Sequence, residues 1–100
     1  MPHLICYDIS KDSLRTKMGK TIIAAGLDRI NKSVYLGILS ESSLKSLETK
    51  LAQWITTKGD PTDTVIIIHV AKEAIKNMSI YGQNDLDKDE LTGDRSTLIV

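Results

Sequence analysis

Two short runs of strand-forming residues constrain the fold more than any other feature of this chain. Residues 4–9 and 64–70 are rich in Ile, Leu, Val and Tyr, and each run carries apolar side chains at both odd and even positions. Because successive side chains of a strand point to opposite faces, both faces of these two strands must be covered. In a chain of 100 residues, this predicts one small domain built around a buried sheet.

The interval between the two runs contains two stretches of helical periodicity. The first predicts a helix over 12–25, ended by Gly26 in a left-handed conformation. The second follows Ser40, a favourable N-cap, and repeats apolar residues at the spacing of an amphipathic helix. Its apolar stripe consists of Leu44, Leu47, Leu51, Trp54 and Ile55. Residues 28–39, between the helices, predict a short strand, a turn and a longer strand.

The resulting order is that of an α+β, ferredoxin-like βαββαβ sandwich with both helices on one face of the sheet. We predict this domain over 1–82, with one helical turn in 71–78 and a short strand in 78–81. Residues 83–100 then predict an exposed acidic connection and an extra C-terminal strand. Because the two-sided strands leave an apolar face without helices, we expect a homodimer, in which the C-terminal strand crosses to the partner's sheet.

Composition narrows the class of protein. Cys6 is the only cysteine, which excludes an intramolecular disulfide and a thiolate metal cluster. No apolar run approaches the roughly 20 residues that span a bilayer, and the first ten residues lack the basic start and apolar core of a signal peptide. We therefore expect a cytoplasmic protein with no membrane association.

The net charge of zero hides two oppositely charged segments. Residues 11–32 contain six basic and two acidic residues, whereas residues 83–95 contain five acidic and two basic ones. The first segment is a candidate for phosphate binding, and the second is a candidate docking surface for a basic partner. Charge runs of this length are also typical of solvated surfaces, so charge alone leaves both alternatives open.

Asp8 is the most informative single residue. A carboxylate in an apolar strand is costly unless it is solvated, paired or bound to a cation. The alternative is that Asp8 caps the following helix through residues 10–12. One carboxylate is a sparse Mg²⁺ site, because such sites use one or two carboxylates with water or phosphate oxygens, but two copies of Asp8 could meet in a dimer.

Other candidate motifs are weaker. Residues 85–89 resemble the opening of a calcium loop, but Glu90 replaces the turn glycine and Ser96 replaces the bidentate glutamate. His69, alone in its strand, is more typical of a packed residue than of a metal ligand. The strand residues Tyr7 and Tyr35 could either stack on a base or fill the core.

Several segments of the first forty residues resemble the CRISPR-associated protein 2 family of small CRISPR adaptation proteins. They are Leu-Ile-Cys-Tyr-Asp-Ile-Ser at 4–10, Leu-Arg at 14–15, Gly-Leu-Asp-Arg-Ile at 26–30 and Lys-Ser-Val-Tyr-Leu-Gly at 32–37. The resemblance covers essentially the whole chain in length and element order, and it is weaker in the C-terminal quarter. It implies a ferredoxin-like homodimer whose C-terminal strand crosses between protomers.

The resemblance also implies two functions. The first is a metal-dependent endonuclease for RNA or DNA, with Asp8 as the metal ligand and catalytic carboxylate, and with Mg²⁺, or alternatively Mn²⁺, as cofactor. The second is a non-catalytic dimeric scaffold that bridges CRISPR integrase subunits and holds duplex prespacer DNA during spacer acquisition. Charge and resemblance together predict one set of nucleic-acid-binding residues: Arg15, Lys17, Arg29, Lys32, Tyr7, Ser33 and Tyr35.

Overall fold

A computed structural model describes residues 1–82 and 88–92 of the chain. Its elements are β1 (Pro2–Asp8), α1 (Asp12–Ala24), β2 (Asp28–Asn31), β3 (Val34–Ile38), α2 (Glu41–Lys58), β4 (Thr64–His69), α3 (Lys72–Lys76) and α4 (Lys88–Thr92). The predicted α+β order is confirmed from β1 to β4, and α3 is the expected helical turn. The strand predicted over 78–81 is wrong, because these residues are irregular.

The four strands form one antiparallel sheet in the order β2-β3-β1-β4. The central strand, β1, therefore has a neighbour on each side. Leu4 lies opposite Leu36 of β3 and Ile68 of β4. This order places the two crossover helices on one face, as expected for a ferredoxin-like sandwich.

The main core lies between the sheet and the helices α1 and α2. The odd-numbered residues of β1 point into it, where Ile5 and Tyr7 contact the apolar stripes of the two helices. The end of α1 and the start of α2 both follow the predicted signals. Gly26, after α1, has a φ of 108°, and the Ser40 hydroxyl accepts a hydrogen bond from the Ser43 N–H at 3.2 Å.

The opposite face of the sheet is partly covered by the chain itself. A second core joins Leu36 of β3 to Ile75 of α3 and Leu91 of α4. The expectation of an exposed connection therefore fails at residues 88–92, where a helical turn buries Leu91 and Thr92. The chain thus supplies part of the cover that the sequence assigned to a second protomer.

Other described residues of that face are apolar and partly exposed. Ile66 and Ile68 of β4 are 52% and 49% exposed, and Ile38 of β3 is 37% exposed. The predicted C-terminal strand lies outside the described residues, so the division into 1–82 and 83–100 stays a prediction. In the described part of the chain, no helix combines the length and the apolar character needed to cross a bilayer.

Candidate nucleic-acid interface

A cleft of about 490 Å³ opens between α1 and the β2–β3 turn. Among the described residues that line it, four have basic side chains and none is acidic. The lining residues are Tyr7, Arg15, Thr16, Gly19, Lys20, Ile23, Arg29, Lys32, Ser33 and Tyr35. The cleft therefore brings together six of the seven residues predicted to contact nucleic acid, and it leaves out Lys17.

Two tyrosines form the floor of this cleft. The hydroxyl oxygens of Tyr7 and Tyr35 lie 3.0 Å apart, and the residues are only 8% and 2% exposed. Burial, together with the hydrogen bond from Tyr35, raises the pKa of Tyr7 to about 12, although Arg29 and Arg15 act in the opposite direction. Because the rings are buried in the core, they offer no free face on which a base could stack. The tyrosines are thus core residues that present polar edges to the cleft.

Gly19 allows α1 to approach this tyrosine pair. A Cβ atom at this position would lie 2.7 Å from the Tyr35 hydroxyl oxygen and 3.4 Å from that of Tyr7. Gly19 was not among the predicted site residues, although a glycine within an otherwise amphipathic helix is the available signal for a close approach. The lining residues Thr16, Lys20 and Ile23 were not predicted as members of the site either.

Part of the Arg15 guanidinium group makes contacts within the protein. Its Nη1 donates to the Ile9 carbonyl oxygen at 3.0 Å, and its Nη2 pairs with the Asp12 carboxylate one helical turn away. The carbonyl oxygen of Arg15 also accepts from the Tyr7 hydroxyl at 3.4 Å. Arg15 therefore joins the start of α1 to the end of β1 and presents only part of its charge to the cleft.

Arg29 is held in a fixed orientation by the β2–β3 turn. Its Nε and Nη2 donate to the Lys32 carbonyl oxygen at 3.2 and 3.0 Å. The turn itself is braced by the Lys32 N–H, which donates to the Asn31 side chain at 2.7 Å. With respect to residues 1–82 and 88–92, this arrangement leaves Arg29 Nη1 and the Lys32 ammonium for an anion in the cleft.

Lys17 lies elsewhere, between the two long helices. Its ammonium is 4.4 Å from the centre of the Trp54 ring, a cation–π geometry. Partial desolvation and the nearby Lys58 lower the pKa of Lys17. Lys20, one turn further along α1, is the lysine of this helix that lines the cleft.

Asp8 ends β1 as predicted, and its side chain is exposed. It does not cap α1, whose N-cap is Lys11 without a side-chain hydrogen bond. Asp8 shares its strand face with Leu4 and Cys6, whereas Tyr7 points to the helices. Asp8 and the basic cleft therefore lie on opposite faces of the sheet within one protomer.

Asp63 organises the entry to α1 instead. Its Oδ1 accepts from the N–H and hydroxyl of Ser10 at 3.0 and 2.9 Å, and its Oδ2 accepts from the Asp60 N–H at 2.9 Å. These hydrogen bonds, with that of Asp60 the largest, lower the pKa of Asp63. The contact joins segments 53 residues apart, and no local sequence signal predicts it.

The structure offers a sparse set of metal ligands. Within residues 1–82 and 88–92, no three His, Cys, Asp or Glu side chains are grouped to hold a metal ion. Asp8 is an exposed, hard carboxylate of the kind that Mg²⁺ uses, so the donor chemistry fits, but one protomer supplies a single ligand. Water, phosphate oxygens or a second copy of Asp8 would have to complete the coordination sphere.

Comparison with known proteins identifies the family. Residues 1–78 match the sequence profile described as CRISPR associated protein Cas2. The chain belongs to the Cas2 family. It is 36% identical over 72 residues to the CRISPR-associated endoribonuclease Cas2 2 of Pyrobaculum aerophilum, covering 72% of this chain and 76% of that protein. It is also 29% identical over 80 residues to the CRISPR-associated endoribonuclease Cas2 of Korarchaeum cryptofilum, covering 80% and 83%.

Two solved structures share the Cas2 fold described above. Cas2 of Streptococcus pyogenes superposes with a TM-score of 0.68 at 18% identity, covering 82% of this chain and all of that one. A hypothetical protein from Thermus thermophilus also superposes with a TM-score of 0.68, at 24% identity, and covers 85% and 94%. These similarities confirm the α+β fold predicted from the order of strands and helices.

Proposed function

We propose that this Cas2 protein is a cytoplasmic CRISPR adaptation protein that binds nucleic acid as a homodimer and hydrolyses phosphodiester bonds in RNA or DNA. The observation that carries the proposal is the cleft, where four basic side chains and, in the described part of the chain, no acidic one line a single concave surface. The names of the Pyrobaculum and Korarchaeum relatives, both described as endoribonucleases, support the hydrolytic part.

The cleft suits a phosphate group. Arg29 is oriented by its two hydrogen bonds to the Lys32 carbonyl, so little side-chain freedom is lost when its remaining Nη1 binds an anion. Lys20 and Lys32 add flexible positive charges at the rim. Contacts of this kind position a nucleic-acid backbone without reading its sequence, and we expect affinity with little sequence preference.

Asp8 is the residue proposed to hold Mg²⁺, with Mn²⁺ as the alternative. When bound there, the ion would polarise a scissile phosphate and lower the pKa of a coordinated water. Asp8 shares its sheet face with the exposed Ile66 and Ile68. Dimerisation through this apolar face would bring two copies of Asp8 towards each other and leave both basic clefts facing outwards.

The alternative function is a non-catalytic dimeric scaffold that bridges CRISPR integrase subunits and holds duplex prespacer DNA. The separation of Asp8 from the basic cleft favours it, because phosphate binding in the cleft requires nothing from Asp8. In this role the integrase subunits supply the chemistry, and the acidic segment 83–95 offers them a docking surface.

A nuclease assay with matched carboxylate variants separates the two functions. Purified protein is incubated with RNA and with duplex DNA, with and without Mg²⁺, beside Asp8→Asn and the control Asp28→Asn, which alters another exposed strand carboxylate. Metal-dependent cleavage that is lost only in Asp8→Asn supports the enzyme. Unchanged cleavage in Asp8→Asn contradicts the metal site, and binding without any cleavage supports the scaffold.

Salt-dependent binding tests the cleft itself. The double variant Arg29→Ala with Lys32→Ala should bind more weakly, and the slope of log affinity against log salt should fall by about one unit per lost phosphate contact. Lys45→Ala, on the exposed surface of α2, is the matched control and should leave the slope unchanged. An unaltered slope in the double variant would place the phosphate contacts elsewhere.

A further inference from the structure

His3 and His69 form a cross-strand pair at the end of β1 and β4 remote from Asp8. Their ring centroids are 5.4 Å apart, with an angle of 62° between the ring planes. The Val70 N–H donates to the Pro2 carbonyl oxygen at 3.0 Å, so the histidines occupy the adjacent, non-hydrogen-bonded position of the ladder. Side chains approach most closely at such positions, and the two imidazoles therefore converge.

The surroundings of His3 suit metal ligation. Its Nδ1 lies 3.0 Å from the Met1 carbonyl oxygen, which can only accept, so in the neutral ring Nδ1 carries the proton and Nε2 keeps its lone pair. Metal-binding histidines characteristically donate their second ring N–H to a backbone carbonyl in this way. His3 is only 6% exposed and is therefore fixed by packing, whereas His69 is exposed and free to adjust.

We propose that His3 and His69 form a binding site for a divalent transition-metal ion that prefers imidazole nitrogen, such as Ni²⁺, Cu²⁺ or Zn²⁺. Both ring Nε2 atoms would bind the ion, and water would complete its coordination. Among the described residues, no third His, Cys, Asp or Glu side chain joins the pair, so we expect the ion to exchange readily. It links the central strand β1 to the edge strand β4, independently of Asp8 and of nucleic-acid binding.

Titration of untagged, chelator-treated protein with NiCl₂ tests this site. Calorimetry should report one Ni²⁺ per chain, and the midpoint of thermal unfolding should rise with Ni²⁺ concentration, because the two histidines are brought together only in the native state. The same titration of Asp8→Ala should give the same affinity. Absence of Ni²⁺ binding by the wild-type protein would overturn the proposal.

Substitution of each histidine identifies the ligands. His69→Gln removes the exposed imidazole without disturbing the core and should lower Ni²⁺ affinity at least about tenfold. His3→Asn removes the other ligand but keeps an N–H that can donate to the Met1 carbonyl. Undiminished affinity in His69→Gln would overturn the proposal, whether or not His3→Asn folds, and so would loss of binding in Asp8→Ala alone.

Discussion

Gly19 and Tyr35 are in such close contact that α1 has no room for a larger residue at this position. A Cβ atom on Gly19 would lie 2.7 Å from the Tyr35 hydroxyl oxygen, and the buried Tyr35 ring cannot swing away. Alanine is favoured over glycine in a helix by about 1 kcal/mol, but overpacking in a core costs about 1–3 kcal/mol. We expect Gly19→Ala to lower the free energy of unfolding by about 1 kcal/mol, as measured by denaturant titration.

A second substitution should reverse the sign of this effect. Tyr35→Phe removes the hydroxyl that the new methyl group would meet, so Gly19→Ala should stabilise the Tyr35→Phe background through its helix propensity. Denaturant titration of the wild type, both single variants and the double variant completes this double-mutant cycle. If Gly19→Ala destabilised both backgrounds equally, the Tyr35 hydroxyl would not be the cause.

Titration of Tyr7 checks the tyrosine pair directly. Burial and the Tyr35 hydrogen bond raise the pKa of Tyr7 from 10.0 to about 12. The native state therefore binds this proton more tightly than the unfolded state, and the resulting stability is complete below pH 10.0 and lost as the pH rises towards about 12. Tyrosinate absorbance of the wild-type protein should show Tyr7 titrating late. In Tyr35→Phe that group should titrate earlier, and an unchanged titration would contradict the hydrogen bond.

Asp63 should make the stability of the protein sensitive to acid. Its pKa is lowered from 3.8 in the native state, so its contribution is present above that value and is lost as the pH falls through the native pKa. Asp63→Asn should therefore unfold at a lower temperature than the wild type at pH 7, with a smaller difference in strong acid. Circular dichroism melts at both pH values measure this, with Asp28→Asn, at an exposed carboxylate of β2, as the matched control.

Arg15 and Arg29 should differ in their effects on stability. Arg15 bonds the Ile9 carbonyl and joins α1 to β1, so Arg15→Ala should lower both nucleic-acid affinity and the free energy of unfolding, the latter by about 1 kcal/mol. The hydrogen bonds of the Arg29 side chain to described residues lie within its own exposed turn, so Arg29→Ala should chiefly affect binding. Parallel filter-binding and denaturant measurements separate the two, and equal losses of stability would contradict the assignment.

Sedimentation of Ile66→Lys with Ile68→Lys tests the proposed dimer. Both side chains are about half exposed in the protomer, so charged replacements should leave its fold intact while opposing burial of this face. We expect the wild type to sediment as a dimer and the double variant as a monomer. Ile23→Lys, at a similarly exposed position on α1, is the control and should remain dimeric.

The sheet was predictable because its strands carry a strong local signal. Apolar residues on both faces of 4–9 and 64–70 identified β1 and β4, and Ser40 identified the start of α2. The helix α4 was not predicted because the acidic segment 83–95 has two leucines, Leu86 and Leu91, whose spacing of five residues gives no helical periodicity. Leu91 is buried in a cluster with Leu36, and such a tertiary contact cannot be predicted from the local sequence.

The membership of the cleft was only partly predictable for a related reason. Basic residues of α1 were visible in the sequence, but which of them face the β2–β3 turn depends on how the helix is rotated on the sheet. Lys20 faces the cleft and Lys17 lies over Trp54. Asp63 and Ser10, like His3 and His69, meet only through the tertiary fold.

The side chains of β1 alternate between the face that carries the basic cleft and the face that carries Asp8. The length of this strand is therefore critical for both surfaces. Tyr7 points into the helical core and its neighbour Asp8 points to the other face, so every position of the strand determines what both surfaces present. Deletion of one residue from the strand would turn the carboxylate towards the core and the phenol towards solvent. Substitutions can alter either surface separately, whereas insertion or deletion of an odd number of residues in β1 would exchange the two faces at once.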